Sequence, residues 1–236
     1  MNSLLTAEFP EEVRQSGAGK AINRHNGLAD EAYEAIFAQL MALKIPPGSR
    51  ITVDNLAREL NVSQTPIREA LGRLEGEGLV IKAHLIGFSA APQISRRRFE
   101  ELYDLRLQVE PEAARRAAQR MDQGRLSVLR NVAGIMSRGQ GADERLRYSA
   151  FARQDAIFHD RILEFAGNEL IRETLAHQHT HFHIFRLMFH SRVTEEALDE
   201  HEALLVAFAA GDGAAAKRAM CDHLERSRSR LLPAFE

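Results

Sequence analysis

Asp155 and His159 stand four residues apart, and His201 and His223 follow later in the chain. A carboxylate and three imidazoles are donors of the kind that holds a divalent transition metal. A helix puts positions i and i+4 on one face, so Asp155 and His159 can point at one ion. His201 lies near the start of a later helical stretch, and His223 lies inside the last one. This donor set suits Zn²⁺ first, with Ni²⁺ or Mn²⁺ as alternatives, and leaves coordination positions for a ligand. By spacing alone, an Asp/His pair such as Asp155/His159 is more often a structural hydrogen bond on a helix face than a metal site.

A second group of residues suits nucleic acid. Ser63, Gln64, Thr65 and Arg68 fall at the start of a short helical stretch whose apolar stripe is Ile67, Ala70, Leu71 and Leu74. With that stripe buried, the four polar residues, and Arg73 further along, face outward. Arg68 can pair with a guanine edge and Gln64 with an adenine edge. The hydroxyls of Ser63 and Thr65 and the first-turn amides suit phosphate oxygens. Gly87, in a following turn, allows close backbone approach to a minor groove. The plainer alternative is a small helical unit that only packs against the rest of the chain.

Eight of the ten histidines lie between His159 and His223. The run His177, His179, His181 and His183, with His190 beyond, sits among Leu175, Phe182, Phe185, Leu187 and Met188, which favour a helix. There 177/181 and 179/183 are i, i+4 pairs on two different faces. One pair can face a cavity and tune it; otherwise the run is a solvated or interface face. It carries no sign of a second metal site.

These residues need elements to hold them. Tyr33, Ile36, Phe37, Leu40 and Met41 have the spacing of an amphipathic helix that stops before Pro46-Pro47-Gly48. Thr52 can cap a second helix burying Leu56, Ala57 and Leu60, with Asn61 as its C-terminal turn residue. Ser63 caps the third, and Gly76 and Gly78 end it. Leu79–Ile81 and Phe88–Ala90 read as two strands about a turn near Gly87. Three helices and a β-hairpin make a winged helix-turn-helix over residues 28–92, after a flexible arm at 1–27. A linker over 93–98 leads to a wholly helical region over 99–236. Its helices are predicted from Phe99 onward and at 122–138, 143–166, 168–190, 194–210 and 213–231, with Gly139-Gln140-Gly141 among the breaks and a kink at Pro111. The fold class is thus mainly α: a winged helix-turn-helix plus a bundle of about six helices.

Composition sets the outer limits. The chain has 236 residues, 31 Lys+Arg and 33 Asp+Glu, a net charge of -2. Only four of those bases are lysines. Over 28–92 there are six bases and eight acids, so DNA binding must rest on how charge is arranged, not on its total. One cysteine, Cys221, excludes an intrachain disulfide. The longest apolar run, Leu204–Ala210, is far below the roughly 20 residues of a membrane span. The expectation is a cytoplasmic protein with no membrane partner.

The stretch IPPGSRITVDNLARELNVSQTPIREALGRLEGEGLV resembles the DNA-binding domain of the GntR family of bacterial transcriptional regulators. The resemblance implies that Ser63, Thr65 and Arg68 meet operator DNA. Two positions depart from the family pattern: Gln64 and Ile86 stand where it has arginine. Further on, LYDLRLQVEPEAARRAA, QDAIFHDRILEFAGN and DEHEALLVAFAAGDGAAAKRAMCDHL are similar to the FCD effector domain of the FadR-like branch. That similarity implies a divalent metal on Asp155, His159, His201 and His223, a small carboxylate effector beside it, and Arg106 as the effector's clamp. It also implies repression relieved by ligand. A two-fold operator asks for a homodimer. The alternatives are a regulator whose effector is the metal ion itself and, more remotely, a metal-dependent enzyme.

Overall fold

In a computed structural model the protein is described over residues 19–137, 144–188 and 191–236. The first element, α1 (Gly19–Met41), starts inside the expected arm, so residues 19–27 are helical; 1–18 lie outside the described residues. A two-residue strand β1 (Arg50–Ile51) leads into α2 (Val53–Glu59) and α3 (Gln64–Gly76), followed by β2 (Val80–Ala83) and β3 (Gly87–Ala90). The sheet order is β1-β3-β2, antiparallel, with Ile51 opposite Phe88 and Val80 opposite Ala90. The hairpin was legible from its apolar strands. β1 was not, because two residues carry no alternation to read.

The helix-turn-helix is set by local chemistry. Asn61 takes a left-handed φ of 53° between α2 and α3, a conformation that asparagine tolerates. Ile67, Ala70, Leu71 and Leu74 are wholly buried, and this stripe fixes which face of α3 is left to solvent. Gly78 ends α3 with φ 70°. The Leu79 amide donates to the Leu74 carbonyl and the Gly78 amide to that of Glu75, a Schellman closure.

The remainder is helical: α4 (Arg96–Gln119), α5 (Gln123–Ser137), α6 (Glu144–Ala166), α7 (Glu169–Ala176), α8 (Thr180–Phe185), α9 (Ser191–Ala209) and α10 (Gly213–Leu231), closed by a 3-10 turn at Leu232–Phe235. Ser95, Asn168 and Asp212 cap α4, α7 and α10 through their side chains. α4 begins at Arg96, inside the expected linker, and runs on through Pro111. The helix expected at 168–190 is two helices. His179 between them adopts φ 45°, which no helical pattern in the sequence announces. The break at 139–141 and His190 lie outside the described residues. One continuous apolar core runs through both domains, and Phe37 of α1 meets Phe182 of α8 edge-on at 5.2 Å. Among the described residues, no helix is long and apolar enough to cross a membrane.

Candidate metal centre and nucleic-acid interface

α6 carries Asp155 and His159, α9 carries His201, and α10 carries His223. All four are at least 96% buried. One nitrogen from each of the three histidines lies within 4.8 Å of the other two. Asp155 Oδ1 is 3.2 Å from His201 Nε2 and 4.0 Å from His159 Nε2. The outward side of the cluster is well tied. His159 Nδ1 donates to Glu110 Oε2 at 2.6 Å, and His223 Nδ1 donates to Glu200 Oε2 at 2.8 Å. A carboxylate only accepts, so each of these imidazoles keeps its proton on Nδ1 and turns a bare Nε2 inward. Asp155 Oδ2 accepts from His181 Nδ1 at 2.8 Å.

The inward side is unsatisfied. Asp155 Oδ1, His159 Nε2 and both ring nitrogens of His201 are buried with no hydrogen-bond partner. Such orphans cost about 1–3 kcal/mol each unless something fills them. Protonation matches too. Burial, working against the Glu110 charge, holds His159 neutral with its pKa lowered to about 3. Burial likewise lowers His223. Burial opposes ionisation of Asp155, but the hydrogen bond from His181 and the close approach of the His201 ring outweigh it and keep the carboxyl well below its usual range. Glu200 is similar: burial pushes it up, and His223 and Arg230 bring it down to about 2. Neutral imidazoles facing an ionised carboxylate are the state a divalent cation binds. The residues therefore fit a metal ion.

Two residues predicted from sequence fall elsewhere. Arg106 is 1% exposed and points at Glu110, with Nε donating to Oε1 at 2.6 Å and Nη2 to Oε2 at 3.3 Å. Expected as the effector's clamp, it is not among the residues lining the adjacent cavity and holds the carboxylate that meets His159. Burial raises the Glu110 pKa, but Arg106 and then His159 pull it far below the carboxylate range. Arg73 sits five residues beyond Arg68, about 140° further round the helix. It turns back to α1, pairing with Asp30 at 2.5 Å with its guanidinium 4.2 Å from the Tyr33 ring.

Ser63, Gln64, Thr65 and Arg68 are brought together at the exposed start of α3. Gln64 Nε2 donates to Asp54 Oδ1 at 2.5 Å, and Arg68 Nη2 reaches Gln64 Oε1 at 3.4 Å. The Ser63 hydroxyl makes no cap bond, which leaves it and the first-turn amides for an anion. Gly87, at φ 103°, has nothing within 4 Å of where a side chain would stand, and Leu85 and Ile86 are exposed beside it at the wing tip.

A cavity of about 420 Å³ opens beside the metal cluster, with His159, His181 and Glu110 on one wall and Tyr33, Glu77 and Arg153 on another. Sequence reasoning missed Glu110, Glu200 and Arg153, and named His181 only within a run of which one pair could face a cavity. Glu110 had a signal, its i, i+4 spacing from Arg106. No spacing pointed His181 at Asp155, because the two meet only through the break at His179.

A winged helix-turn-helix with an exposed recognition helix, joined to a helical bundle, defines a DNA-binding transcriptional regulator. Residues 28–89 match the family described as bacterial regulatory proteins, gntR family, and residues 101–226 match the FCD domain. The chain belongs to the GntR family of transcriptional regulators, among those with an FCD domain; it is not an enzyme. It is 33% identical over 129 residues to the Nta operon transcriptional regulator of Aminobacter aminovorans, a stretch covering 55% of this chain and 59% of that protein. It is 25% identical over 206 residues to the HTH-type transcriptional repressor RspR of Escherichia coli (strain K12), covering 86% and 89%. In fold it is similar to the crystal structure of a putative GntR regulator from Rhodococcus sp. RHA1, with a TM-score of 0.65, 21% identity, and 91% and 100% coverage.

Proposed function

We propose that this protein is a homodimeric repressor whose operator affinity is set by a small carboxylate bound beside a divalent metal, Zn²⁺ first. The carrying observation is the cluster of four buried ligand residues, with unsatisfied inward atoms and carboxylate-tied outer nitrogens, next to a cavity of ligand size. Asp155, His159, His201 and His223 would hold the ion, which when bound offers open positions to a carboxylate oxygen. At the DNA, Ser63 and Thr65 hold phosphates, Gln64 and Arg68 read base edges, and the Gly87 wing approaches the neighbouring groove. The repressor sense is supported by the similarity to RspR, a transcriptional repressor.

The same observation favours a resident ion over one that signals by arriving, since the ligands are buried and their outer partners already in place. The test is metal content by plasma mass spectrometry of untagged protein purified without added metal, beside His223→Ala. About one transition metal per chain, lost in the variant, is the expected result; no metal in either protein overturns the resident site. Selection of duplexes from random DNA with the natural protein tests the regulator half.

A further inference from the structure

The cavity beside the metal cluster is walled on one side by the DNA-binding domain. Tyr33 of α1 and Glu77, the residue that closes α3, face into it. So does Arg153 of α6, two residues before Asp155, and Arg153 is where the domains clasp. Its guanidinium lies 4.2 Å from the Phe37 ring centre and 5.0 Å from that of Tyr33. Tyr33 in turn donates its hydroxyl to the Glu77 carboxylate, 2.8 and 2.7 Å from the two oxygens. Arg73, also on α3, lies against the same ring.

The other charges on this wall are already answered. Arg161 pairs with Glu164; Asp160 takes both ends of Arg172 at 2.7 and 2.8 Å; Glu110 is held by Arg106 and His159. Arg153 differs. Its Nη2 is buried without a hydrogen bond, and its ion-pair contact, Glu34 Oε2 at 3.2 Å, is with a carboxylate that is mostly exposed. A buried guanidinium nitrogen with no hydrogen bond, paired only with an exposed carboxylate, is placed to take an anion from the cavity.

We propose that Arg153 is the anion-sensing residue of this cavity, and that its occupancy is passed directly to the recognition helix through Tyr33 and Glu77. The inference rests on the ligand-controlled repressor reading and names how that site is regulated. A carboxylate in the cavity forms charge-assisted hydrogen bonds with Arg153, which are stronger than its hold on two rings and its ion pair with the exposed Glu34. Arg153 then leaves Tyr33 and Phe37, and the clasp that seats the end of α3 loosens. The ligand shifts the equilibrium only by its preference for the unclasped arrangement.

The test uses full-length, metal-loaded protein and an operator selected from random duplexes. Without any added ligand, Arg153→Gln and Tyr33→Phe lower operator affinity about ten-fold, within the usual range of coupling between sites. Metal content stays unchanged. The control Arg161→Gln, a cavity arginine that does not meet the DNA-binding domain, stays within about two-fold of the natural protein on the same scale. Acetate, succinate, citrate and inorganic phosphate are then titrated. At least one is expected to weaken operator binding by the natural protein and by Arg161→Gln, and to lose that effect in Arg153→Gln. Unchanged affinity in Arg153→Gln, an equal loss in Arg161→Gln, or no response to any of the anions overturns the proposal. An anion acting equally on Arg153→Gln overturns the sensing role alone and leaves the carboxylate-controlled repressor standing. Failure to select any operator sinks both.

Discussion

Arg68 and Glu200 illustrate two ways a single residue can matter here. Arg68 is exposed at the start of α3, so removing its side chain leaves no buried group unpaired. Arg68→Ala should therefore cost about 1–3 kcal/mol in specific operator binding, as for a lost bidentate base contact, with metal content intact. A gel shift showing unchanged specific affinity would remove α3 as the reading element. Glu200 is buried, and its carboxylate serves both His223 and Arg230. Glu200→Gln keeps the shape and loses the charge that fixes the His223 tautomer. Metal affinity should fall roughly 10- to 100-fold, the usual effect of an outer-shell partner. Competition with a metal-binding dye measures this, and affinity equal to the natural protein's would show that Glu200 orients nothing.

At the scale of elements, α3 shows how a helix end can carry more than its own stability. Gly78 closes α3 with φ 70° and packs toward His179, 3.4 Å from where a Cβ would stand. That distance is ordinary contact, so the cost of a side chain lies in the backbone. Gly78→Ala should destabilise the fold by about 1–2 kcal/mol, the price of a left-handed L-residue. Urea unfolding checks it, and an unchanged midpoint would mean that the turn adapts. α8 has only six residues, yet it follows His179, carries His181 to Asp155, and precedes Arg186. Arg186 Nη2 donates to the Ala91 carbonyl at 2.7 Å, and Gln93 Nε2 donates to the Arg186 carbonyl at 2.7 Å. One short helix and the residue after it thus touch both the Asp155 cluster and the segment joining the domains.

The whole molecule is two domains around one core, so its stability should report on their junction. His183 lies at that junction, near Gly78, with Arg186, His179 and Arg98 among the charges around it. Burial, then the charges of Arg186, His179 and Arg98, lowers its pKa from 6.5 to about 4. The folded protein therefore holds His183 neutral where the unfolded chain already binds a proton. Above about pH 6.5 this costs nothing; as pH falls from there toward about 4 the unfolded state gains protons and stability drops. In chelated protein, so that no metal competes, thermal midpoints between about pH 7 and about pH 5 should fall less steeply for His183→Gln than for the natural chain. Parallel slopes would place His183 outside the packed junction.

Much of this protein was legible in its residues alone. Apolar periods exposed α1, α2, α3 and most of the bundle, because an amphipathic helix writes its buried face at fixed spacing. The same periodicity put Asp155 and His159 on one face and left Ser63, Gln64, Thr65 and Arg68 outward. What the spacing could not supply were relations between elements. β1 is too short for a pattern. The break at His179 comes from one left-handed residue, and through it His181 reaches Asp155. Arg106 and Arg153 are both arginines on helices at the cluster, and although Arg106 has Glu110 four residues on, spacing alone does not say which arginine meets the cavity. Packing did so, burying Arg106 against Glu110 and leaving a nitrogen of Arg153 without a hydrogen bond on the wall that α1 and α3 share with the cavity. Local spacing decides which side of a helix a residue occupies; only the packing of helices against one another decides what that side meets.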